Sequence, residues 1–340
     1  MGIYLKSGYL NLPYIEKLAD SNNCFYILCI GGRQVGKTYG TLQMMLNENK
    51  RFILMRRTQT ESDFISNGTI NPFIPIDKSV SIKKASQYHS EIFRDLGDEK
   101  EKIGIALALS SVAKIRGFDG SMYTDLIFDE FIPERHIQKI KNEGDAFLNA
   151  IVTISGNREL EDKKPLRVWL LANSNNLAAP ILQALNITDK IEEMKRKEQE
   201  LSILPERSTV IVLPKSDEIL KQRQKKSTLL KAIHGESSFT KMAFKNEFSY
   251  NDTTGVKQNV NISEYRYLTT AAGMDIYLHK SNRLCYVCSA THKDVYQNNA
   301  TGKKRFLKYC PQIKPLYFSE KMLFSNLTVK EEMKAFLDVD

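Results

Sequence analysis

No apolar run in these 340 residues approaches the roughly 18 that a membrane-crossing helix needs. The opening stretch "MGIYLKSGYLNLPYIEK" lacks the charged and then apolar segments of a secretion signal, and Lys6 stands where a myristoylation site requires Ser or Thr. These absences exclude a membrane partner and lead to the expectation of a cytoplasmic protein. Cysteine is scarce, five in all, and an odd number fits a reducing compartment better than a disulfide framework. Cys285 and Cys288 form a C-x-x-C, but no second Cys or His pair is spaced to complete a zinc site, and "LCYVCSA" alternates as a core strand does. Internal repeats and low-complexity tracts are absent as well.

What is present is an ordinary balance of 42% hydrophobic and 26% charged residues, enough apolar material for about two domains at this length. The net charge of +9 is unevenly placed. Residues 1–200 hold 27 Lys and Arg against 26 Asp and Glu, whereas residues 201–340 hold 22 against 14. A neutral front and a basic back predict different partners, with a polyanion for the second part.

Strand-like and helix-like segments alternate over the first 215 residues, which predicts an α/β fold with a largely parallel sheet. Short apolar runs place strands at 24–30, 51–56, 103–109, 125–130, 167–173 and 208–214. Helices are expected at 37–48, 144–155 and 178–200, the last ending in the charge-dense "DKIEEMKRKEQE". The division predicted is a first domain over 1–200, a helical linker over 201–235 with a polar helix at 215–235, and a mixed α/β domain over 236–340. In that last part, 264–290 reads as strand, turn and strand, with Ser281-Asn282 in the turn.

"GGRQVGKT", Gly31 to Thr38, satisfies G-x-x-x-x-G-K-[ST] between a buried strand and a helix. Such a loop wraps phosphate oxygens in backbone N–H groups, with glycine where φ turns positive or a side chain would collide. The expected nucleotide-binding residues are therefore Gly31, Gly32, Arg33, Gln34, Val35, Gly36, Lys37 and Thr38. Lys37 reaches the β/γ-phosphates of ATP, and the Thr38 hydroxyl serves Mg²⁺. "LIFDEF" ends an apolar strand in Asp129-Glu130, the place for a metal-holding acid followed by a general base. Asp125, at the head of that strand, shortens the usual apolar run.

Asn173, at the tip of "RVWLLAN", is placed to touch the γ-phosphate or the attacking water, or else to cap the next helix. These elements together indicate the additional-strand, catalytic-glutamate class of P-loop NTPases. A cation for the transferred phosphoryl is sought in Arg158, with Arg135, Arg116 and Arg33 as rivals. Arg56-Arg57, closing the second strand, are read first as surface charge, with contact to nucleotide or a neighbour as the alternative. Tyr9 and Tyr14 are candidates to stack on the base.

"GGRQVGKT", "ILMRRTQTESDF", "IRGFDGSMYTDLIFDEF" and "AFLNAIVTISGNRELEDKKPLRVWLLANSNN" resemble the genome-packaging ATPases of the small φ29-like bacteriophages, relatives of terminases and of FtsK/HerA-type DNA translocases. The resemblance is specific over the first 200 residues and one of order and length over the last 105. It implies an ATP-driven motor that packages double-stranded DNA into a preformed prohead. Such a motor works as a homomeric ring, a pentamer, at the portal (connector) vertex in the host cytoplasm, with a packaging RNA as a further partner.

By the same resemblance Asp129 holds metal, Glu130 is catalytic, Asn173 is the sensor and Arg158 acts on a neighbouring subunit. The second domain would be RNase H-like without cutting activity, a binding module in which Asp275, Asp294 and Glu264 form no nuclease motif. Lys225, Lys226, Lys303, Lys304 and Arg305 are the densest basic clusters of the basic half and are expected to contact nucleic acid through phosphates. Rival functions are a scaffold with a structural nucleotide, a filamentous-phage-type assembly or secretion ATPase, and a helicase.

Overall fold

The computed structural model describes residues 2–66, 70–114, 120–133, 140, 142–158, 160–173, 179–215, 255–257, 260–281 and 283–339. These fall into two compact units. Unit 1 takes the described residues through 186 and from 190 to 215, and unit 2 takes 187–189 and 255–339.

Unit 1 is built on one nine-stranded sheet. Its central strands are β1 (Tyr26–Ile30), β2 (Phe52–Arg56), β5 (Lys100–Ala108), β6 (Asp125–Asp129), β7 (Arg167–Ala172) and β9 (Thr209–Val212), and they run parallel in the order β5-β2-β6-β7-β1-β9. Strands β1, β2, β6 and β7 are almost wholly buried, as continuous Val/Ile/Leu-rich runs in a parallel sheet must be. Antiparallel β3 (Val80–Lys84) and β4 (His89–Asp95) extend one edge, and β8 (Leu201–Leu204) closes the other. Helices α1 (Leu12–Ser21), α2 (Lys37–Asn47), α3 (Gln59–Ser66), α4 (Glu143–Ser155), α5 (Pro180–Ala184) and α6 (Thr188–Arg196) connect the strands.

Strand β7 lies between β1 and β6, with Leu171 in register with both Cys29 and Asp129. Because β1, β2, β6 and β7 are parallel, Ile30, Arg56, Asp129 and Ala172 all end at the same edge. That is where open α/β sheets gather ligands. At the opposite edge Asp125 is buried and accepts hydrogen bonds from the Trp169 indole (3.1 Å) and the Thr124 hydroxyl (2.7 Å). This explains why an acid can open an otherwise apolar strand.

The expected domain edge at residue 200 is not where the structure places it. Strands β8 and β9 belong to the main sheet, so 201–212 is part of unit 1's sheet and its connection rather than a linker. The helix expected over 178–200 is two short helices, and its charged tail ends in a turn at Glu198 (φ 52°), where the Gln199 N–H returns to the Met194 carbonyl. The polar helix expected over 215–235 lies outside the described residues except at its first position.

Unit 2 carries a four-stranded sheet, β10 (Tyr265–Ala271), β11 (Met274–His279), β12 (Cys285–Ser289) and β13 (Met322–Phe324), in that order. The first three form an antiparallel meander, and β13 returns parallel to β12 after α7 (Ala300–Tyr309) and α8 (Ile313–Phe318). Helix α9 (Leu327–Phe336) follows. Two turns, rather than one, divide 264–290. Ala272 and Gly273 both take positive φ (53° and 77°), as a two-residue hairpin turn demands. Cys285 is fully buried and Cys288 three residues on is half-buried, so the C-x-x-C faces both sides of a strand, as the core reading requires. No helix among the described residues is long and apolar enough to cross a membrane.

Candidate active site

The loop between β1 and α2 places its functional atoms by backbone conformation. Gln34 and Gly36 adopt positive φ (66° and 88°), and a Cβ added at Gly36 would stand 3.2 Å from the Tyr9 ring. Glycine is therefore required there twice over. Lys37, the first residue of α2, is buried, and its Nζ donates to the carbonyls of Gly31 (2.9 Å) and Gly32 (2.7 Å). Burial lowers the Lys37 pKa to about 8. An ammonium held only by neutral carbonyls favours an anion beside it.

Thr38 Oγ1 donates to Asp129 Oδ1 at 2.8 Å, which joins the helix start to the end of β6 across 91 residues. A hydroxyl and a carboxylate in contact form a hard-oxygen donor pair suited to Mg²⁺, and the residues present fit that ion together with a phosphate chain. Glu130 follows with φ 57° and a half-exposed side chain. Asn173 Nδ2 lies 3.4 Å from Glu130 Oε1. The structure therefore brings Lys37, Thr38, Asp129, Glu130 and Asn173 together at one edge. Arg33 and Gln34 are exposed on the loop, and Val35 is buried beneath it.

Two arginines read as surface charge are not. Arg56, at the end of β2, donates from one terminal nitrogen to Asp129 Oδ2 (2.8 Å) and from the other to Glu130 Oε2 (2.9 Å). It is mostly buried because β2 pairs directly with β6. Arg57 is fully buried and grips Glu143 at the start of α4 by Nε–Oε1 (2.6 Å) and Nη2–Oε2 (3.0 Å). Its fork fixes α4 to β2. No local pattern distinguishes these residues from solvated charge, because their partners lie 73 to 86 positions away.

Arg158 does not project from the surface as expected. Its guanidinium is buried and donates to the carbonyls of Ser121 (2.8 Å), Tyr123 (2.5 Å) and Lys164 (3.2 Å). Ser121 and Tyr123 precede β6, so Arg158 sits about 15 Å, five strand residues, from the acids at the other end. Arg116 and Arg135 lie outside the described residues.

Beside the loop a cavity of about 660 Å³ is lined by Tyr9, Tyr39, Gln43, Met44 and Leu5 among others. Tyr9 belongs to a hairpin closed by a Tyr4–Leu10 bridge, and the Leu10 N–H donates to the Val35 carbonyl within the loop (3.1 Å). Tyr14 does not line the cavity.

In unit 2, Lys303 reaches the Ala335 carbonyl (2.8 Å) and Asp338 (2.7 Å), tying α7 to the end of α9 rather than facing outward as expected. Lys304 and Arg305 lie on the exposed flank of α7, Arg305 within 6.0 Å of the Tyr296 ring. Lys225 and Lys226 fall outside the described residues. Asp275, Asp294 and Glu264 do not converge, and no group of three metal-ligating side chains exists among the described residues. Asp275 is buried, which works to raise its pKa. Hydrogen bonds from Thr270, Thr291 and His292 override this and hold it at about 2.

Against known proteins, the chain is 23% identical over 289 residues to a DNA packaging protein of Bacillus phage B103, covering 78% of this chain and 79% of that one. Its fold is similar to that of the bacteriophage Phi-29 viral genome packaging motor assembly (TM-score 0.65, 16% identity, 97% and 99% covered). It is also similar to the Phi-28 gp11 DNA packaging motor (TM-score 0.59, 14% identity, 95% and 97% covered). Residues 6–307 match the model of the podovirus DNA encapsidation protein (Gp16), and with most of its length inside that match the chain belongs to this family.

Proposed function

We propose that this phage DNA packaging protein is a Mg²⁺-dependent ATP hydrolase whose turnover drives double-stranded DNA into a prohead. The observation that carries the reading is the Thr38–Asp129 hydrogen bond with Glu130 and Asn173 alongside, which joins a lysine-tipped loop to an acidic pair at one sheet edge. The inserted strand β7 between β1 and β6 supports the additional-strand class of P-loop NTPases. Thr38 and Asp129 would hold the Mg²⁺, which supplies positive charge to the β/γ-oxygens when bound. Lys37 would exchange its two carbonyls for phosphate oxygens, with the N-terminus of α2 behind it. Glu130 is placed to orient a water and accept its proton, and Asn173 fixes the carboxylate from the adjacent strand. The base would enter the cavity beside the loop against Tyr9 and Tyr39.

In this reading the chain works as a homomeric ring, a pentamer, at the portal, with a packaging RNA as a further partner. Arg158 is the group offered to a neighbouring subunit once assembly draws it off its three carbonyls. The unit 2 module contacts nucleic acid without cutting it.

The test is Glu130→Gln. Nucleotide binding should persist while phosphate release falls about 10²- to 10⁴-fold, the range that general-base catalysis contributes. Undiminished release would assign the base elsewhere, and wild-type protein that binds nucleotide without splitting it would make the nucleotide structural.

A further inference from the structure

Unit 2 contains a cleft that the catalytic reading does not use. It opens at one end of the sheet, where the start of β10, the end of β11 and the residues just before β12 and β13 meet. Arg266 is in register with Leu278, Leu278 with Cys285 and Cys285 with Met322, so Arg266, Arg283 and Lys321 collect along this end. The cleft encloses about 520 Å³. Its floor is apolar, formed by Leu278, Leu284, Pro315 and Leu316, and no acidic side chain among the described residues lines it.

Arg266, Arg283 and Lys321 are all exposed, and none has an ion pair or side-chain hydrogen bond among the described residues. Three other cations of the unit are engaged: Lys280 with the Ser263 carbonyl, Lys303 with Asp338 and Lys314 with the Leu337 carbonyl. Three uncompensated positive charges around one apolar depression repel one another until an anion enters. Arginine forks match phosphate geometry and also stack on flat rings.

We propose that this cleft binds an unpaired nucleotide of a single-stranded nucleic acid, with flanking phosphates on Arg266, Arg283 and Lys321 and the base on the apolar floor. A duplex presents phosphates but keeps its bases stacked inside, and so would leave the floor uncovered. A splayed base covers it while the rim takes the backbone. The site is therefore distinct from any grip on the duplex cargo, and it stands on unit 2 whether or not unit 1 hydrolyses nucleotide.

The experiment uses the full chain and fluorescence anisotropy with labelled 12-nucleotide oligouridylate, oligothymidylate and a 12-base-pair DNA duplex, each titrated between 50 and 200 mM salt. The single strands should bind more tightly than the duplex. The Arg266→Gln/Arg283→Gln/Lys321→Gln variant should lose at least tenfold in single-strand affinity. The steepness of log K against log salt should fall by about 2, since each phosphate neutralised on a single strand contributes about 0.7. The stronger of the two single strands identifies RNA or DNA as the source. Circular dichroism and basal phosphate release, unchanged in the variant, would show that the fold is intact. An unchanged salt slope, equal losses for duplex and single strand, or the same loss in a Lys304→Gln/Arg305→Gln control would each overturn the assignment.

Discussion

Arg56 joins the two acids through separate nitrogens, and Asp129 meets Thr38 on its other oxygen. Both carboxylate oxygens of Asp129 are thus engaged, and a divalent cation must displace the guanidinium to gain a second one. Exposed ion pairs contribute up to about 1 kcal/mol and mostly buried ones more when a partner is removed, so displacing this guanidinium costs at least about 1 kcal/mol. Arg56→Ala should therefore lower the Mg²⁺ concentration that half-saturates nucleotide binding by at least about fivefold, read with a fluorescent nucleotide in a magnesium titration. A raised Mg²⁺ requirement would mean that Arg56 positions the acids rather than competing for them. Glu130 adds a second reason for its partner. A non-glycine residue at φ 57° carries local strain of about 1–3 kcal/mol, and such strain persists where surrounding bonds impose it. Arg56 and Asn173 supply those bonds.

At the scale of elements, the cavity beside the loop depends on the hairpin that carries Tyr9, because Leu10 ties that hairpin to Val35 and the Tyr9 ring packs over Gly36. Tyr14 lies on α1 outside the cavity. Tyr9→Ala should weaken nucleotide binding about tenfold, the upper end of an aromatic stacking contribution of about 0.5–1.5 kcal/mol. Tyr14→Ala should leave it unchanged in the same titration. Equal effects would move the base elsewhere. The strands that frame this site were legible because they are short apolar runs: the expected 125–130 is Asp125–Asp129, and 167–173 is Arg167–Ala172. Helices 37–48 and 144–155 are likewise Lys37–Asn47 and Glu143–Ser155. In unit 1 three strands escaped notice for physical reasons. β3 is the edge strand and β4 its neighbour, both with polar faces, and β8 is four residues long behind a charged helix. The loop motif and the acid pair could be read because their chemistry requires fixed local spacing. The pairings of Arg56, Arg57 and Arg158 could not, since each depends on which strands become neighbours.

For the whole molecule the open question is whether one copy completes the site of another, and Arg158 carries it. It cannot serve the acids of its own chain, being about 15 Å away at the other end of β6. Within the chain it bonds three neutral carbonyls and leaves a buried Nε without a partner among the described residues. In the proposed ring a neighbour's polyphosphate would offer charge-assisted bonds, roughly twice as strong as those to neutral acceptors, and these would favour release on assembly. Two consequences separate the roles. In the unassembled chain Arg158→Ala removes three charge-assisted hydrogen bonds, the one to Tyr123 buried, and should cost about 3 kcal/mol, seen as a lower melting temperature. In the assembled state, Lys37→Ala subunits retain Arg158 and Arg158→Ala subunits retain the loop. Mixing two inactive preparations should then restore phosphate release wherever a donor borders a competent loop. No recovery, with both variants folded and assembled, would confine Arg158 to holding its own chain together and shift the search for the shared cation to Arg33, exposed on the loop.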